Sequence, residues 1–330
     1  MSDKMIDVVG IGNAIVDVLA QTDDAVLQRL GITKGAMTLV DAGRSAQIYD
    51  AMGQAIEISG GSAANTIAGV ASLGGRAAYI GKVGNDQLGG IFRHDIRTNG
   101  VYFETPSAKS DTPTARSMIM VTPDAERSMN TFLGACVELT PEDVDPALIS
   151  RSKVTYLEGY LWDPPLAKEA FLKASRIAHD AGREISLSLS DSFCVNRYLA
   201  EFQALVKDHV DILFANESEI KALWQTEDYD TAVRLTKEAC DIACLTRSEK
   251  GSVIIAGDQV IEIAAFPVKQ VVDVTGAGDL YAAGFLYGYT QGRDYADCGR
   301  IASMCAGEVI SHMGARPETP LSELLLARLG

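Results

Sequence analysis

The sequence is poor in the residue types that build metal centres and nucleic-acid surfaces. Its 330 residues include only four histidines, six cysteines and two tryptophans, and 29 basic residues stand against 44 acidic ones. The cysteines are scattered, form no C-x-x-C pair and do not cluster with histidine, so we expect free thiols in a reducing cytoplasm and no zinc site. A net charge of −15 argues against a nucleic-acid partner, which needs a basic face.

The N-terminal sequence does not have the pattern of a targeting or membrane-spanning segment. Asp7 and Asp17 interrupt the N-terminal hydrophobic stretch, so neither a signal peptide nor a membrane span is expected, and we predict a cytoplasmic protein. With 47% hydrophobic and 22% charged residues, the chain can bury a sizeable core. Its length fits one large α/β domain with an appendage, or two domains.

Two common nucleotide-binding motifs are incomplete. The segment 10–15 begins as the dinucleotide-binding G-x-G-x-x-G pattern does, but Ile15 stands where the third glycine is required. The Walker A pattern fails because Lys82 is followed by Val83 instead of Ser or Thr, and Arg76 occupies the upstream glycine position. We therefore do not expect a nicotinamide, flavin or P-loop nucleotide site.

Hydrophobic periodicity predicts an α/β fold. From Val154 onward short apolar strands alternate with helices, the pattern of βαβ units in a parallel sheet covered on both faces. Two strands at 114–121 and 128–133 interrupt that alternation and predict a hairpin. We predict a doubly wound, mostly parallel sheet with a small β-rich lid. The α/β core is expected to comprise residues 1–13, 46–100 and 134–330, and the lid residues 14–45 and 101–133.

The stretch QVVDVTGAGDLYAAGFLYG near the C-terminus carries most of the functional information. Gly276, Ala277 and Gly278 open a helix whose unpaired N–H groups and dipole would form an anion site. Asp279, in the first turn, would not help to hold an anion but could take a proton from a hydroxyl that attacks a phosphate. The segment indicates phosphoryl transfer to an alcohol, although an ordinary helix capped by Gly and Asp has the same pattern.

Two further polar clusters have residue types that suit a sugar. Asn13 and Asp17 offer an amide and a carboxylate for hydroxyl groups, although a turn asparagine and a solvated aspartate give the same pattern. In GGSAAN, Gly61 permits close backbone approach to a ligand and Asn65 adds an amide in the following helix. A tight strand–helix turn is the alternative interpretation of that segment.

A third cluster follows the predicted strand at 212–214. Asn216 and Glu219 would lie at the carboxyl end of that strand, where ligands of open parallel sheets bind. A glutamate there could order Mg²⁺-bound water around phosphates. An ordinary helix N-cap, with acidic residues favoured by the helix dipole, is equally consistent with the sequence.

Together these segments resemble the ribokinase-type (PfkB) carbohydrate and nucleoside kinases, over essentially the full chain. DVTGAGDLYAAGFL, from Asp273 to Leu286, is similar position by position to the family's C-terminal signature, and GGSAAN to the core of its N-terminal signature. NESE, beginning at Asn216, is similar to its N-x-x-E motif, and the stretch from Gly10 to Asp17 to its substrate strand. The resemblance implies the ribokinase-like fold, ATP as phosphoryl donor and Mg²⁺ as cofactor.

The resemblance also implies a role for each motif residue. Asp279 would be the catalytic base. The remaining roles would be divided among an anion hole of backbone N–H groups (Gly276, Ala277, Gly278), a substrate set (Asn13, Asp17, Gly61, Asn65), a nucleotide set (Asn216, Thr246, Gly251) and a contact to Mg²⁺ through water (Glu219).

Three details of the resemblance concern charge around the phosphates. Arg127, in ERSM, resembles a lid arginine that neutralises phosphate, with a solvated turn residue as the alternative. K⁺ often supports the anion hole in this family, and it would be expected at Asp273, Thr275 and the turn near Gly314. In CLTRSEKGS the glycine that usually follows the threonine is replaced by Arg247-Ser248, so the nucleotide contacts depart from the family pattern there.

The expected acceptor is a nucleoside. Asn13, Gly61 and Asn65, with the segment ERSMNTFLGAC, are more similar to the adenosine kinase branch than to ribokinases, which implies phosphorylation of adenosine to AMP. Tyr160 and Trp162 follow a core strand, where they could stack on a nucleobase or pack at the base of the lid. A ribokinase- or fructokinase-type sugar kinase and a catalytically silent ligand-binding relative are the alternatives. Both a monomer and a homodimer are compatible with the sequence.

Overall fold

The computed structural model describes residues 5–124 and 126–329. Residues 1–4, 125 and 330, which the predicted domain ranges include, lie outside that description. None of the helices in the described ranges is long and apolar enough to cross a membrane.

The described residues form strands and helices that largely alternate along the chain. The strands are β1 (Ile6–Ile11), β2 (Ile15–Gln21), β3 (Met37–Leu39), β4 (Ala55–Gly60), β5 (Ala77–Ile80), β6 (Tyr102–Phe103), β7 (Ala115–Val121), β8 (Arg127–Phe132), β9 (Ser152–Glu158), β10 (Glu184–Ser188), β11 (Ile212–Asn216), β12 (Ile242–Thr246), β13 (Ser252–Ala256) and β14 (Gln259–Ile263). The α-helices are α1 (Asp24–Leu30), α2 (Ala42–Ala51), α3 (Ser62–Ser72), α4 (Gln87–Thr98), α5 (Pro146–Ser150), α6 (Pro165–Asp180), α7 (Ser192–Arg197), α8 (Leu199–His209), α9 (Glu217–Trp224), α10 (Tyr229–Ala239), α11 (Ala277–Thr290), α12 (Tyr295–Val309) and α13 (Leu321–Leu329).

The larger sheet has nine strands in the order β14-β13-β12-β11-β10-β9-β1-β5-β6. All neighbours from β12 to β6 are parallel, and β13 and β14 continue the sheet as an antiparallel hairpin. Successive residues of a strand point to opposite faces, so Val8 packs into one hydrophobic cluster and Val9 into the other, and both are fully buried. The predicted doubly wound, mostly parallel sheet is confirmed.

The smaller sheet has five strands in the order β3-β8-β7-β2-β4. The predicted hairpin forms as β7 and β8, which are antiparallel. A small cluster of Leu27, Ile48, Met118 and Met120 packs against it. This second sheet corresponds to the predicted β-rich lid.

Two strands fall on the other side of the predicted domain boundaries. β4 lies in the range 46–100 that we assigned to the α/β core, yet it pairs with β2 in the smaller sheet. β6 lies in the range 101–133 that we assigned to the lid, yet it pairs with β5 in the larger sheet. Both pairings join segments that are distant along the chain, and the local sequence pattern does not mark them.

The two sheets meet where the chain passes between them. Only residues 12–14 separate β1 in the larger sheet from β2 in the smaller one. Gly61 alone separates β4 from α3, and its φ of 94° places it in the left-handed region that favours glycine. A Cβ atom at Gly61 would lie 2.1 Å from the carbonyl oxygen of Asn13. Both crossings are therefore in contact, and they bring the polar residues of two motifs together.

Candidate active site

The start of α11 presents an open, positively polarised backbone. Gly276 precedes the helix with a φ of 78°, in the left-handed region, and no side chain caps the helix. The N–H of Ala277 donates to the carbonyl oxygen of Val274 at 3.2 Å, while the N–H groups of Gly276 and Gly278 make no backbone hydrogen bond within the described ranges. A Cβ atom at Gly278 would meet nothing within 4 Å. This end of the helix thus has both free donors and the space for an anion.

Asp279 is half-buried beside that space and is held by two side chains of α3. The hydroxyl of Ser62 donates to Oδ1 at 2.6 Å, and Nδ2 of Asn65 donates to Oδ2 at 3.0 Å. Burial raises the pKa of Asp279, although these two hydrogen bonds oppose the rise. The carboxylate is therefore fixed in position and made more basic, as a proton acceptor requires.

Close packing of α3 on α11 makes this arrangement possible. A Cβ atom at Gly69 would lie 2.6 Å from the Cβ of Ala283 and 2.7 Å from a methyl group of Leu280. The glycine lets the two helices approach closely, so that their first turns, which carry Asn65 and Asp279, lie side by side.

Asn65 also offers an unused acceptor. Its Oδ1 atom is buried and has no hydrogen-bond partner among the described residues, while its Nδ2 is bonded to Asp279. A buried polar atom without a partner costs free energy unless a ligand satisfies it. A substrate hydroxyl that donates to Asn65 and lies near Asp279 would do so.

Asn13 is bound to a buried glutamate that sequence reasoning missed. Glu158, at the end of β9, is 1% exposed; its Oε1 accepts from Nδ2 of Asn13 at 2.7 Å, and its Oε2 accepts from the N–H of Ala63 at 2.8 Å. Burial raises the pKa of Glu158 to about 7, against the lowering effect of these hydrogen bonds. Gly12 leaves room for it, since a Cβ there would lie 2.3 Å from Oε2. The carboxylate at the end of β9 thus links the crossing between β1 and β2 to the first turn of α3.

Asp17 lies on β2 against the backbone of Gly60. A Cβ atom at Gly60 would come within 2.3 Å of the Asp17 carboxylate, so the glycine makes room for it. Burial raises the pKa of Asp17 to about 6, while the positive charges of Arg316 and Arg127 oppose the rise. A carboxylate placed beside two cations in a cleft is suited to accept hydrogen bonds from substrate hydroxyl groups.

Arg316 is the second residue that sequence reasoning missed. Its Nη2 donates to the carbonyl oxygen and the hydroxyl of Ser59, at 2.9 and 3.0 Å. Its Nε and Nη1 are buried without a partner among the described residues. Its charge acts on both Asp17 and Asp279. The signal was weak, because GARP follows the last long helix and matches no motif that we considered.

Arg127, Asp273 and Thr275 meet at the loop before α11. The guanidinium of Arg127 donates to Asp273 Oδ2 and, at 2.8 Å, to the hydroxyl of Thr275. Asp273 also accepts from the N–H of Gly314 at 2.9 Å and from the N–H of Thr275 at 3.0 Å. The structure thus joins the predicted lid arginine to the residues where K⁺ would be expected.

At the carboxyl end of β11, Asn216 and Glu219 cap α9 mutually. The Asn216 side chain accepts from the N–H of Glu219 at 2.8 Å, and Glu219 accepts from the N–H of Asn216 at 2.9 Å. Burial raises the pKa of Glu219 to about 7, and the charges of Asp191 and Asp279 add to that effect. The neighbouring strand places Thr246 directly beside Asn216. Asn216 and Glu219 therefore form an N-cap, and this role is compatible with the predicted contacts to nucleotide and Mg²⁺-bound water.

The loop in which Arg247-Ser248 replaces the expected glycine forms a tight turn. Ser248 adopts a φ of 52°, in the left-handed region that a glycine would favour. Arg247 contacts Glu217 at 3.0 Å and lies 3.9 Å above the ring of Tyr229. Gly251 has a φ of 82°, and a Cβ there would lie 2.0 Å from the carbonyl oxygen of Ile263. The loop keeps a tight turn, and Arg247 is fixed at its side.

The donor set for Mg²⁺ is small. The described residues contain no group of three or more His, Cys, Asp or Glu side chains that could hold a metal ion. A buried glutamate such as Glu219 suits an ion that keeps several waters and is bound mainly by substrate phosphates, which is the usual mode for Mg²⁺. The residues fit such an ion and do not form a closed protein cage.

The two predicted aromatic residues lie in different surroundings. Trp162 is 5% exposed, lies 5.8 and 5.9 Å from the rings of Phe171 and Phe202 and donates to Glu201 at 2.9 Å. It packs in the core of the larger sheet, so the suggestions that it stacks on a nucleobase or packs at the lid base were wrong. Tyr160 is 40% exposed, and burial of its hydroxyl together with the charges of Asp191 and Asp279 raises its pKa. The two suggestions for Tyr160, stacking on a nucleobase and packing at the lid base, stay predictions.

Solved structures of two bacterial kinases superpose on nearly the whole chain. A probable sugar kinase protein from Rhizobium etli CFN 42 is 55% identical, with a TM-score of 0.91 and 98% of each chain covered. The adenosine kinase from Sinorhizobium meliloti is 56% identical, with a TM-score of 0.90 and coverage of 98% of this chain and 99% of that one. Adenosine kinase 1 of Arabidopsis thaliana is 25% identical over 94% of this chain and 96% of its own.

A model of the pfkB family of carbohydrate kinases matches residues 42–321. Kinases of this family use ATP with Mg²⁺ and transfer a phosphoryl group to a hydroxyl group. The match includes strands of both sheets and the starts of α3, α9 and α11. The family resemblance of the sequence is confirmed, and the chain, a phosphotransferase with an alcohol group as acceptor, belongs to the pfkB family of carbohydrate kinases.

Proposed function

We propose that this protein transfers the γ-phosphoryl group of ATP to a primary hydroxyl of a nucleoside, with adenosine as the acceptor and AMP as the product. The observation that carries the proposal is the Asp279 carboxylate, held by Ser62 and Asn65 beside the open start of α11. The 56% identity to an adenosine kinase over almost the whole chain supports adenosine as the acceptor.

In this reaction Asp279 takes the proton of the attacking hydroxyl as the new O–P bond forms. The bond between the γ-phosphorus and the oxygen that bridges to the β-phosphate breaks, and ADP leaves with that oxygen. The free N–H groups at Gly276 and Gly278, aided by the helix dipole, stabilise the charge on the transferring group. Positioning and charge stabilisation provide most of the catalysis in phosphoryl transfer.

The substrate residues hold the acceptor in place. Asp17 and the free Oδ1 of Asn65 accept hydrogen bonds from the sugar hydroxyls, while Asn13 and Gly61 shape the wall between the two sheets. Tyr160 borders the cleft where the nucleobase would lie. Binding through several hydroxyls fixes the primary hydroxyl against Asp279, which converts a bimolecular encounter into an oriented attack.

The nucleotide would lie along the carboxyl ends of β11 and β12. Asn216, Thr246 and Gly251 line that edge, and Glu219 would hold an Mg²⁺-bound water. Mg²⁺ would neutralise phosphate charge when it is bound. The smaller sheet, which carries Arg127, would act as a lid that keeps water away from the phosphoryl group.

A sugar kinase is the second candidate. The probable sugar kinase protein of Rhizobium etli is 55% identical, so overall similarity does not separate the two acceptors. Asp17 and Asn65 would bind the hydroxyls of a free sugar as readily as those of a ribose moiety. A catalytically silent relative would be expected to lack the base or the helix-opening glycines, and this chain has them.

The proposal is tested by incubating the protein with Mg-ATP and one acceptor at a time, with release of ADP as the readout. The panel contains adenosine, inosine, guanosine, ribose, fructose and fructose phosphates. Turnover on adenosine alone supports the nucleoside kinase, and turnover on a free sugar alone transfers the proposal to the sugar kinase. If wild type and Asp279→Asn release ADP at the same low rate with every acceptor, the kinase proposal fails.

A further inference from the structure

The loop before α11 holds a buried carboxylate that is surrounded by donors. The Asp273 side chain is 4% exposed and the Arg127 side chain 10% exposed. Oδ1 accepts from the N–H and the hydroxyl of Thr275, at 3.0 and 2.7 Å. Oδ2 accepts from the N–H of Gly314, at 2.9 Å, and from the guanidinium of Arg127. Both oxygens are therefore in use, and the negative charge is already paired.

A potassium ion does not fit this arrangement. K⁺ would need oxygen ligands, and the two side chains expected to supply them, Asp273 and Thr275, already contact the guanidinium. A second positive charge in the same place would be repelled strongly, because screening is weak where both partners are nearly buried. The expected potassium site therefore does not match the residues present, because the guanidinium of Arg127 already occupies the position of the cation.

The same guanidinium connects the two sheets. Arg127 is the first residue of β8 in the smaller sheet, whereas Asp273 and Thr275 belong to the loop that leads into the anion site. Arg127 also lies near enough to Asp17 for its charge to lower the pKa of that substrate carboxylate. One side chain thus touches the turn that shapes the anion site and acts on the substrate residue.

We propose that the guanidinium of Arg127 is the built-in cation of the Asp273–Thr275 turn, so that the protein needs no potassium, and that potassium gains access to this turn only when Arg127 is removed. Arg127 is then a positioning residue for the start of α11, in addition to any contact that it makes with phosphate. The predicted effect of potassium on turnover rests on the proposed function, but the occupation of the turn by a cation does not.

The experiment compares thermal unfolding of the substrate-free protein in KCl and in choline chloride at equal ionic strength. The proteins are wild type, Arg127→Met, Arg127→Gln, Arg127→Lys and the double variant Arg127→Met/Asp273→Asn. Arg234→Met is the matched control, because Arg234 is 60% exposed and its ion pair among the described residues is with Glu238 on the surface of α10. A ligand that binds only the folded state raises the midpoint in proportion to its occupancy.

We expect wild type, Arg127→Lys and Arg234→Met to melt at the same temperature in both salts. Arg127→Met should melt lower than wild type in choline chloride and recover by about 2–4 °C in KCl. Arg127→Gln provides the same comparison if the methionine variant does not fold. The double variant, which lacks the carboxylate, should not respond to KCl.

Two results would overturn the inference. One is a saturable, potassium-specific rise in the wild-type midpoint as large as that of Arg127→Met. The other is no response to KCl in either Arg127→Met or Arg127→Gln. Both results come from thermal unfolding without ATP or acceptor, so they can be distinguished from a failure of the kinase assay. Where turnover is measurable, replacing choline by potassium should change the wild-type rate by less than about twofold and raise that of Arg127→Met.

Discussion

Three buried or half-buried carboxylates in one cleft differ in what surrounds them. Asp279 receives two side-chain hydrogen bonds, Asp17 feels the positive charges of Arg316 and Arg127, and Glu158 is bonded to Asn13 and a backbone amide. Burial raises the pKa of all three. Their positions separate their roles, because Asp279 alone adjoins the start of α11.

Replacing Asp279 by asparagine should abolish most turnover and leave binding intact. The amide oxygen of the new side chain can still accept a hydrogen bond from Ser62, but an amide cannot take a proton from the acceptor hydroxyl. We expect kcat to fall by about 10²-fold or more, with little change in the KM of the acceptor. A kcat near that of wild type in steady-state assays would remove Asp279 from the base role.

Glu158 should make the protein less stable as the pH rises. Its pKa is raised by burial to about 7 from an ordinary 4.5, so the folded state binds a proton more tightly than the unfolded state. The stability from this proton is fully present below about pH 4.5 and is lost as the pH rises through about 7. The effect on the free energy of unfolding is at most roughly 3 kcal/mol.

Glu158→Gln should flatten this dependence between about pH 5 and pH 7.5. The glutamine also loses the hydrogen bond from Ala63, so its stability should be lower at acidic pH, and only the slope tests the prediction. Glu238→Gln, at a side chain that is 62% exposed, is the control that should keep the wild-type slope. Equal slopes for all three proteins in denaturant titrations would contradict the assignment.

The sequence revealed the residues whose spacing follows a motif and missed those that act from elsewhere. Asp279, Asn65 and Asn216 could be named because each follows a glycine-rich or strand-end pattern. Glu158 and Arg316 could not, since their importance comes from charge and hydrogen bonds between segments far apart in the chain. Glu158 did leave one signal, because a carboxylate directly follows the buried apolar residues Tyr156 and Leu157.

At the scale of elements, the starts of α3 and α11 lie side by side and form one working unit. The sequence predicted one helix after the glycines of GGSAAN and another opened by Gly276, Ala277 and Gly278, since glycines at a helix terminus are a local signal. The membership of β4 and β6 could not be predicted, because a strand's partner is set by pairing across the fold. The sharp turn at Gly61 joins the predicted helix to the strand whose partner could not be predicted, because it ends β4 and begins α3.

Glycine substitutions at the two helix starts should separate stability from turnover. A Cβ at Gly278 meets nothing within 4 Å, so Gly278→Ala should change the free energy of unfolding by no more than about 0.5 kcal/mol. The added methyl group would occupy the space for the phosphoryl group, and we expect kcat/KM to fall by at least about tenfold. Gly90→Ala, on α4 and equally open, is the control for both quantities.

Gly61→Ala should show the opposite balance. Its φ of 94° and the 2.1 Å approach to the Asn13 carbonyl oxygen leave no place for a Cβ atom. We expect it to lower the free energy of unfolding by more than about 2 kcal/mol. Chemical denaturation of the two alanine variants provides the measurement. A destabilised Gly278→Ala or an unaffected Gly61→Ala would contradict the packing described for these two helix starts.

At the scale of the whole molecule, charge opposes the proposed donor. The protein carries a net charge of −15, and ATP is also an anion. Arg127 and Arg316 supply positive charge near the anion site, and this attraction acts over short distances. The repulsion between ATP and the negatively charged protein comes from the entire surface. Salt screens the longer-range contribution more strongly.

Raising the choline chloride concentration from about 0.01 M to about 0.1 M should therefore lower the KM for Mg-ATP, since the Debye length shortens from about 30 Å to about 10 Å. The KM for an uncharged acceptor such as adenosine should not change and is the internal control. Initial rates at varied ATP provide the measurement. A rising KM for ATP would mean that the local arginines dominate the field that the nucleotide meets.

The hydrogen bonds from Ser62 and Asn65 to Asp279 span 217 and 214 positions of the chain. During synthesis, which proceeds from the N-terminus, the residues proposed to bind the acceptor emerge long before the segment that carries the proposed base and anion site. A partly synthesised chain can therefore fold much of its sheet and still lack the segment proposed to catalyse phosphoryl transfer. The phosphotransferase site is completed only after nearly all of the fold that shields it from water has been made, which limits the opportunity for wasteful hydrolysis of ATP.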